Sequence, residues 1–242
     1  MADRLEGAPF GASTAVQDYL KAIYQLGGSG GYVPTSALAD RLGVKAPSVS
    51  GMLRRLDELG YVSHRPYRGV RLTKRGTREA VEMIRHHRLL ELYLAEVVGM
   101  PWDKVHAEAD ALEHYISEDL ESRLDELLGY PKEDPHGHPI PTPGLELDED
   151  AYPTLAHVEP GDRFVVRRVS DRDPDLLRHL AELGLRPGAA IRVTEVIPFR
   201  GGIRVEVEGS EIVVGSEAAE AVQVAAAQGK KAATPQRSGG AR

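Results

Sequence analysis

The chain has 242 residues, of which 41% are hydrophobic and 28% charged, and it contains no cysteine; that predicts a globular protein with two or three small cores and excludes disulfides and thiolate metal ligands. No apolar run approaches the roughly 20 residues of a membrane span, and residues 1–11 lack the apolar stretch of a signal peptide, so a cytoplasmic protein without a membrane partner is expected. The formal charge is −7, but residues 1–75 hold 11 Lys/Arg against 6 Asp/Glu, and a basic front ahead of an acidic remainder suits a protein that meets phosphates with one part only.

Residues 13–26 read as a helix, with Ser13 as N-cap and Val16, Tyr19, Leu20 and Ile23 on one apolar face. Residues 35–42 form a second, short helix, and Gly43-Val44 makes the turn after it. Pro47 opens a third helix where its missing N–H costs least, and Gly60 closes it. Strand-like runs at 61–64 and 70–72 flank a basic turn. This order predicts a winged helix-turn-helix over residues 1–75.

Thr73 is expected to cap a long helix to about Val98. Gly99-Met100-Pro101 interrupts it, and a further helix is expected from Trp102 to about Leu128. The apolar face of these two helices predicts a helical dimerisation domain over 76–130. Residues 131–154 are rich in Pro, Gly and acid and read as a linker. Strand-like runs at 164–169, 191–197, 203–207 and 212–214, a Gly201-Gly202 hairpin turn and one short helix from Pro174 predict an SH3-like β-barrel over 155–224. Residues 225–242 read as a disordered tail. The expected fold class is therefore mainly α with a small all-β domain.

The third helix would present Lys45, Pro47, Ser48, Ser50 and Gly51 in its first turns, with Arg55 further along and Arg68 in the wing. Small and basic donors at such positions suit phosphates and some base edges, so double-stranded DNA is the expected partner. Packing against a protein is the alternative use of such a unit.

Carboxylates and histidines concentrate behind this reader. His106, Asp110, Glu113 and His114 fall on one stripe of a helix, within about 100° of arc. The stripe borders apolar positions, where an uncompensated charge is costly and a divalent cation would offset it. His87 and Glu91 share one face of the preceding helix at i, i+4, and Asp18 lies in the first helix. His136 and His138, in Pro135-His136-Gly137-His138-Pro139, read as part of a rigid turn rather than as ligands. A metallohydrolase could use similar groups, but a winged helix would then have no role. A metal-independent adaptor, with the stripe as a structural network, is a further reading.

Several stretches together resemble the DtxR/MntR family of metal-dependent repressors. They are Asp18-Tyr19-Leu20-Lys21-Ala22-Ile23-Tyr24, Pro47-Ser48-Val49-Ser50, His87-Arg88-Leu89-Leu90-Glu91 and the run from Val105 to His114. The run from Leu176 to Gly188 resembles the SH3-like, FeoA-like third domain of the longer members. The resemblance implies a homodimeric, non-enzymatic repressor of metal-homeostasis genes on a palindromic operator. It also implies a primary metal set of Asp18, Asp110, Glu113 and His114. An ancillary set of His87, Glu91 and His106 is implied with a third-domain carboxylate, for which Asp173 is preferred and Asp171 is the rival. Iron-sensing members carry sulfur where Asp18 and Asp110 stand here, which turns the expectation toward Mn(II), with Fe(II) as the alternative and other divalent metals able to bind in vitro. Manganese sensors with a two-metal cluster carry a carboxylate where Lys21 stands, so a closely spaced binuclear site is not expected.

Overall fold

The protein is described from a computed structural model covering residues 13–227, apart from 29, 66, 67, 149 and 200. The chain divides into two compact units. The first runs to Asp150 and also takes in the loop Asp171–Pro174; the second holds Ala151–Ser170 and the chain from Asp175 onward.

The first unit begins with α1 (Thr14–Gly27), α2 (Thr35–Leu42) and α3 (Ala46–Glu58). Gly43 adopts φ 64° between α2 and α3, the left-handed geometry of a helix C-terminus. Leu20, Ile23, Leu38, Val49, Leu56 and Val70 close a common core. The wing is an antiparallel pair, β1 (Val62–Arg65) and β2 (Gly69–Leu72), with Val62 opposite Leu72. Val33 bridges to Val70, and a Cβ on Gly69 would lie 2.1 Å from the Val33 carbonyl oxygen, so only glycine fits that crossing.

Thr73 caps α4 (Lys74–Glu96), its hydroxyl accepting from the Gly76 amide. The single helix expected over 102–128 is instead three pieces: α5 (Val105–Leu112), a 3-10 turn Glu113–Tyr115, and α6 (Glu118–Leu127). Ser117 accounts for the restart, since its side chain accepts from the Leu120 amide as an N-cap. Arg85, buried in α4, donates to Glu121 (2.6 Å) and Asp125 (2.7 Å) on α6 and to the Pro141 carbonyl. The segment expected as a linker is packed in part: His136 is fully buried, and Ile140 sits against Leu89 and Leu92.

The second unit is a five-stranded antiparallel sheet, in order β6-β5-β4-β3-β7. Its elements are β3 (Arg163–Val169), α7 (Pro174–Glu182), β4 (Ala190–Ile197), β5 (Gly202–Val207), β6 (Ser210–Val214), α8 (Ser216–Glu220) and β7 (Val222–Ala226). Glu208 and Gly209 join β5 to β6 with φ 50° and 83°, as a two-residue hairpin loop of the primed kind requires. β7 has no counterpart in the sequence-based expectation. Its Val222 and Val224 are fully buried, and residues 225 and 226 belong to it rather than to a tail. The remainder of the expected tail, 228–242, lies outside the described residues. Among the described residues, no helix is long and apolar enough to cross a membrane.

Candidate metal centre

α1, α4, α5 and the 3-10 turn converge on one cluster of charged groups, and Lys21 lies at its middle. Its Nζ donates to Asp110 Oδ1 (2.9 Å) and to both oxygens of Glu113 (2.7 and 3.0 Å), and it stands 3.1 Å from His87 Nδ1. Burial opposes the charge on Lys21, but Glu113 and Asp110 outweigh it and raise the lysine pKa above its ordinary value. Burial likewise works against the carboxylate of Asp110, and Lys21 and His87 overcome it and lower its pKa.

On one side of Lys21, His114 Nε2 lies 3.1 Å from Asp18 Oδ1. The ring orientation has a cause that the sequence reading missed. Gln17 Oε1 accepts from His114 Nδ1 at 2.9 Å, which fixes the ring with Nε2 turned toward Asp18. Gln17 is buried and immediately precedes Asp18, but no residue pattern marks it as the partner of a histidine 97 positions away. Asp18, Glu113 and His114 can each offer an atom to one ion. Asp110 instead groups with His87 and Glu113, because the lysine draws it there. The implied primary set is thus brought to one place but divided by the ammonium of Lys21.

On the other side, His87, Glu91, His106 and Asp171 form a second potential ligand group. Glu91 Oε1 lies 3.0 Å from His87 Nε2 and 2.9 Å from His106 Nδ1. His106 Nδ1 is also 3.6 Å from Asp171 Oδ2. Of the two loop carboxylates, the structure brings Asp171, the rival, to His106 and not the preferred Asp173. The loop carries Asp171 inward, whereas Asp173 is exposed directly ahead of Pro174, the first residue of α7. Burial opposes a proton on His87, yet Glu91 and Glu113 raise its pKa to about 10. Burial also opposes the charge of Glu91, and its histidine partners pull its pKa well below the ordinary carboxylate value.

Two observations test whether these residues suit a divalent cation. A primary amine already occupies the space between Asp110, Glu113 and His87, as a stand-in positive charge. Glu91 Oε2 is buried with no hydrogen-bond partner. The carboxylate and imidazole donors fit, and an open cleft lined by Asp18, Lys21, His106, Asp110 and His114 gives a route from solvent.

The residues expected to meet DNA are all exposed: Lys45, Pro47, Ser48, Ser50, Gly51, Arg55 and Arg68. Lys45 is the N-cap residue of α3, and Pro47 lies in its first turn. Ser50 spends its hydroxyl hydrogen on the Ala46 carbonyl at 3.1 Å, which leaves its exposed oxygen as an acceptor. Tyr32 supports the basic wing, its ring lying 5.6 Å from the Arg65 guanidinium and 5.3 Å from that of Arg71.

Residues 12–70 match the family model for the N-terminal DNA-binding domain of iron-dependent repressors, and 73–142 match the model for their metal-binding and dimerisation domain. Residues 154–226 match the FeoA domain. The iron-dependent repressor IdeR of Mycobacterium tuberculosis is 34% identical over 219 residues, covering 85% of this chain and 94% of that protein. The chain belongs to the DtxR/MntR family of metal-dependent DNA-binding repressors. Members of this family are transcriptional regulators and not enzymes, which sets the metallohydrolase reading aside. The MntR regulator of Oceanobacillus iheyensis is 33% identical over 120 residues, 50% of this chain and 81% of that one. A solved manganese-dependent transcriptional repressor in complex with manganese superposes with a TM-score of 0.81 at 40% identity, covering 88% of this chain and all of that one. Both iron- and manganese-dependent regulators thus stand among the family relatives, and a second solved relative, ScaR, is described with bound zinc (TM-score 0.75, 32% identity, 88% of this chain and 99% of that one).

Proposed function

We propose that this chain is a manganese(II)-responsive repressor with two ligand sets. The primary set is Asp18, Asp110, Glu113 and His114; the ancillary set is His87, Glu91, His106 and Asp171. One observation carries the reading: Asp18 and Lys21 belong to the first helix of the DNA reader, and their partners belong to α5, the 3-10 turn and α4. A bound divalent cation would supply the positive charge that these carboxylates share. Lys21 holds Asp110 and Glu113 in its absence and must yield them for ligation. His87, with its pKa raised to about 10, holds a proton at neutral pH and must release it to ligate, so affinity at that set rises with pH. Asp18 and His114 then couple the reader to the helices behind it, which favours the DNA-competent arrangement over others. The absence of sulfur among the donors favours a hard ion. Iron(II) is the second reading, favoured by the similarity to iron-dependent repressors over most of the chain.

In this reading the protein acts in the cytoplasm as a homodimer on a palindromic operator that controls metal uptake and homeostasis genes. Paired α3 helices would enter successive major grooves about 34 Å apart. Lys45, Ser48, Ser50, Arg55 and Arg68 would hold phosphates and base edges, and Pro47 and Gly51 would allow close approach. The test is fluorescence anisotropy on a duplex recovered by in vitro selection from random DNA. Replacing chelator with Mn(II) should tighten binding by about 100-fold, or roughly 2.8 kcal/mol, and Asp110→Ala and His114→Ala should abolish the gain. Binding indifferent to chelator and to both substitutions overturns the switch; activation by anaerobic Fe(II) at lower free concentration than Mn(II) replaces the metal.

A further inference from the structure

A third potential ligand group lies in the turn after Lys132, outside both sets described above. Asp134, His136 and His138 each turn one side-chain atom toward a common point, and these atoms lie within 4.8 Å of one another. Asp134 Oδ2, His136 Nδ1 and His138 Nδ1 are all buried, and none makes a well-aligned hydrogen bond, although His138 Nδ1 and Asp134 Oδ2 stand at ion-pair distance. The other side-chain atoms of two of these residues are committed. Asp134 Oδ1 accepts from the backbone amides of His136 (2.8 Å) and His138 (2.9 Å). His136 Nε2 lies 2.9 Å from the Trp102 carbonyl, so it carries a hydrogen and turns Nδ1 inward; burial opposes a second proton there, but Glu91 raises the pKa to about 9, so Nδ1 must release that proton to ligate. A carbonyl that fixes one imidazole nitrogen while the other faces a carboxylate is the outer-shell arrangement that orients metal-binding histidines.

The turn is rigid. The Asp134 amide bonds to the His138 carbonyl at 2.9 Å, Gly137 adopts φ 86°, and Glu133 bridges to Pro139. His136 stacks on Trp102 with ring centroids 5.5 Å apart. Two further carboxylates flank the point: buried Glu91, whose Oε1 is 3.8 Å from His136 Nδ1, and partly buried Asp171, whose Oδ2 is 3.8 Å from His138 Nδ1. Arg88 Nε stands 3.9 Å from Asp134 Oδ2 and is the local competing cation.

We infer that Asp134, His136 and His138 form a third divalent-metal site, suited to zinc(II), through Oδ2 and the two Nδ1 atoms. Two nitrogens and one oxygen match the borderline-soft preference of zinc, and three protein ligands leave a fourth position for water. The 3.2 Å between His138 Nδ1 and Asp134 Oδ2 is close to the roughly 3.3 Å that separates ligands of a tetrahedral zinc at bond lengths of about 2.0–2.2 Å. A cation there would clamp the turn against α4, beside Glu91 and Asp171. None of its three ligands belongs to the primary or ancillary set, but Glu91 and Asp171 of the ancillary set border it.

The full chain, crystallised with zinc chloride and measured above the zinc absorption edge, should show an anomalous peak within about 2.2 Å of all three atoms. In solution, equilibrium dialysis followed by elemental analysis should give one zinc fewer per chain for His138→Gln than for wild type. Zinc should also raise the melting temperature of wild type more than that of His138→Gln, because a ligand stabilises only a chain that binds it. His138 is a quarter exposed, so this variant spares the stacked His136. The wild-type map decides the matter even if the variant misfolds. No peak at the turn, or equal zinc content in the two proteins, overturns the site and leaves a protonated histidine network in its place. Peaks at the other two sets are read from the same map, and Asp110→Ala reports on the switch separately.

Discussion

Lys21 gives the metal-free chain a positive charge of its own among buried carboxylates. Its ammonium contacts Glu113, which is 1% exposed, and Asp110, which is half-exposed. Two consequences oppose each other. Lys21→Met removes a cation that competes for the ligands, so Mn(II) should bind at least about tenfold tighter by calorimetric titration, or roughly 1.4 kcal/mol. The same substitution strips Glu113 of its counter-charge, so the metal-free variant should lose about 3 kcal/mol of stability to denaturant. Unchanged Mn(II) affinity would show that the lysine does not compete. Much of this cluster was legible in the sequence, because His87/Glu91 and His106/Asp110 repeat at helical spacing and resemble a known pattern. What escaped was set by tertiary placement. The loop before α7 offers Asp171 and Asp173 with equal chemistry, and only its path brings Asp171 to His106. Gln17 and the turn histidines gain their significance from partners distant in the chain.

Between elements, the decisive contact is the buried fork of Arg85. It ties α4 to Glu121 and Asp125 on α6 and to the backbone at Pro141, and its side chain is 2% exposed. Removing one partner of such a network leaves buried charge without compensation. Arg85→Ala should therefore lower the unfolding free energy by about 3–5 kcal/mol in a urea titration; a loss below about 1 kcal/mol would mean that water replaces the guanidinium freely. Nothing in the sequence marks Arg85, since its partners lie 36 to 56 residues away. The winged helix was readable because caps, glycine turns and apolar period agree locally. The break between α5 and α6 was not, because apolar spacing continues through it and a single serine cap decides where helix resumes. β7 escaped for the opposite reason: its alternation covers only a few residues and merges into an alanine-rich run.

Across the whole molecule, charge is distributed by task. The basic share lies in the DNA reader, while the rest of the chain is acidic enough to bring the total to −7. Affinity for DNA should therefore fall with salt according to the few phosphates that the reader neutralises. Arg68→Ala in the wing should reduce the slope of log affinity against log salt by about 0.9, with base preference retained. An unaltered slope measured by anisotropy would place Arg68 off the phosphate backbone. The donor chemistry of the ligand sets has another consequence. All the candidate ligating atoms are nitrogen or oxygen, and the chain contains no cysteine. Peroxide thus finds no thiolate to carry to sulfenic acid or disulfide, and the ligand sets are closed to the thiol oxidation that would disable a thiol-based sensor.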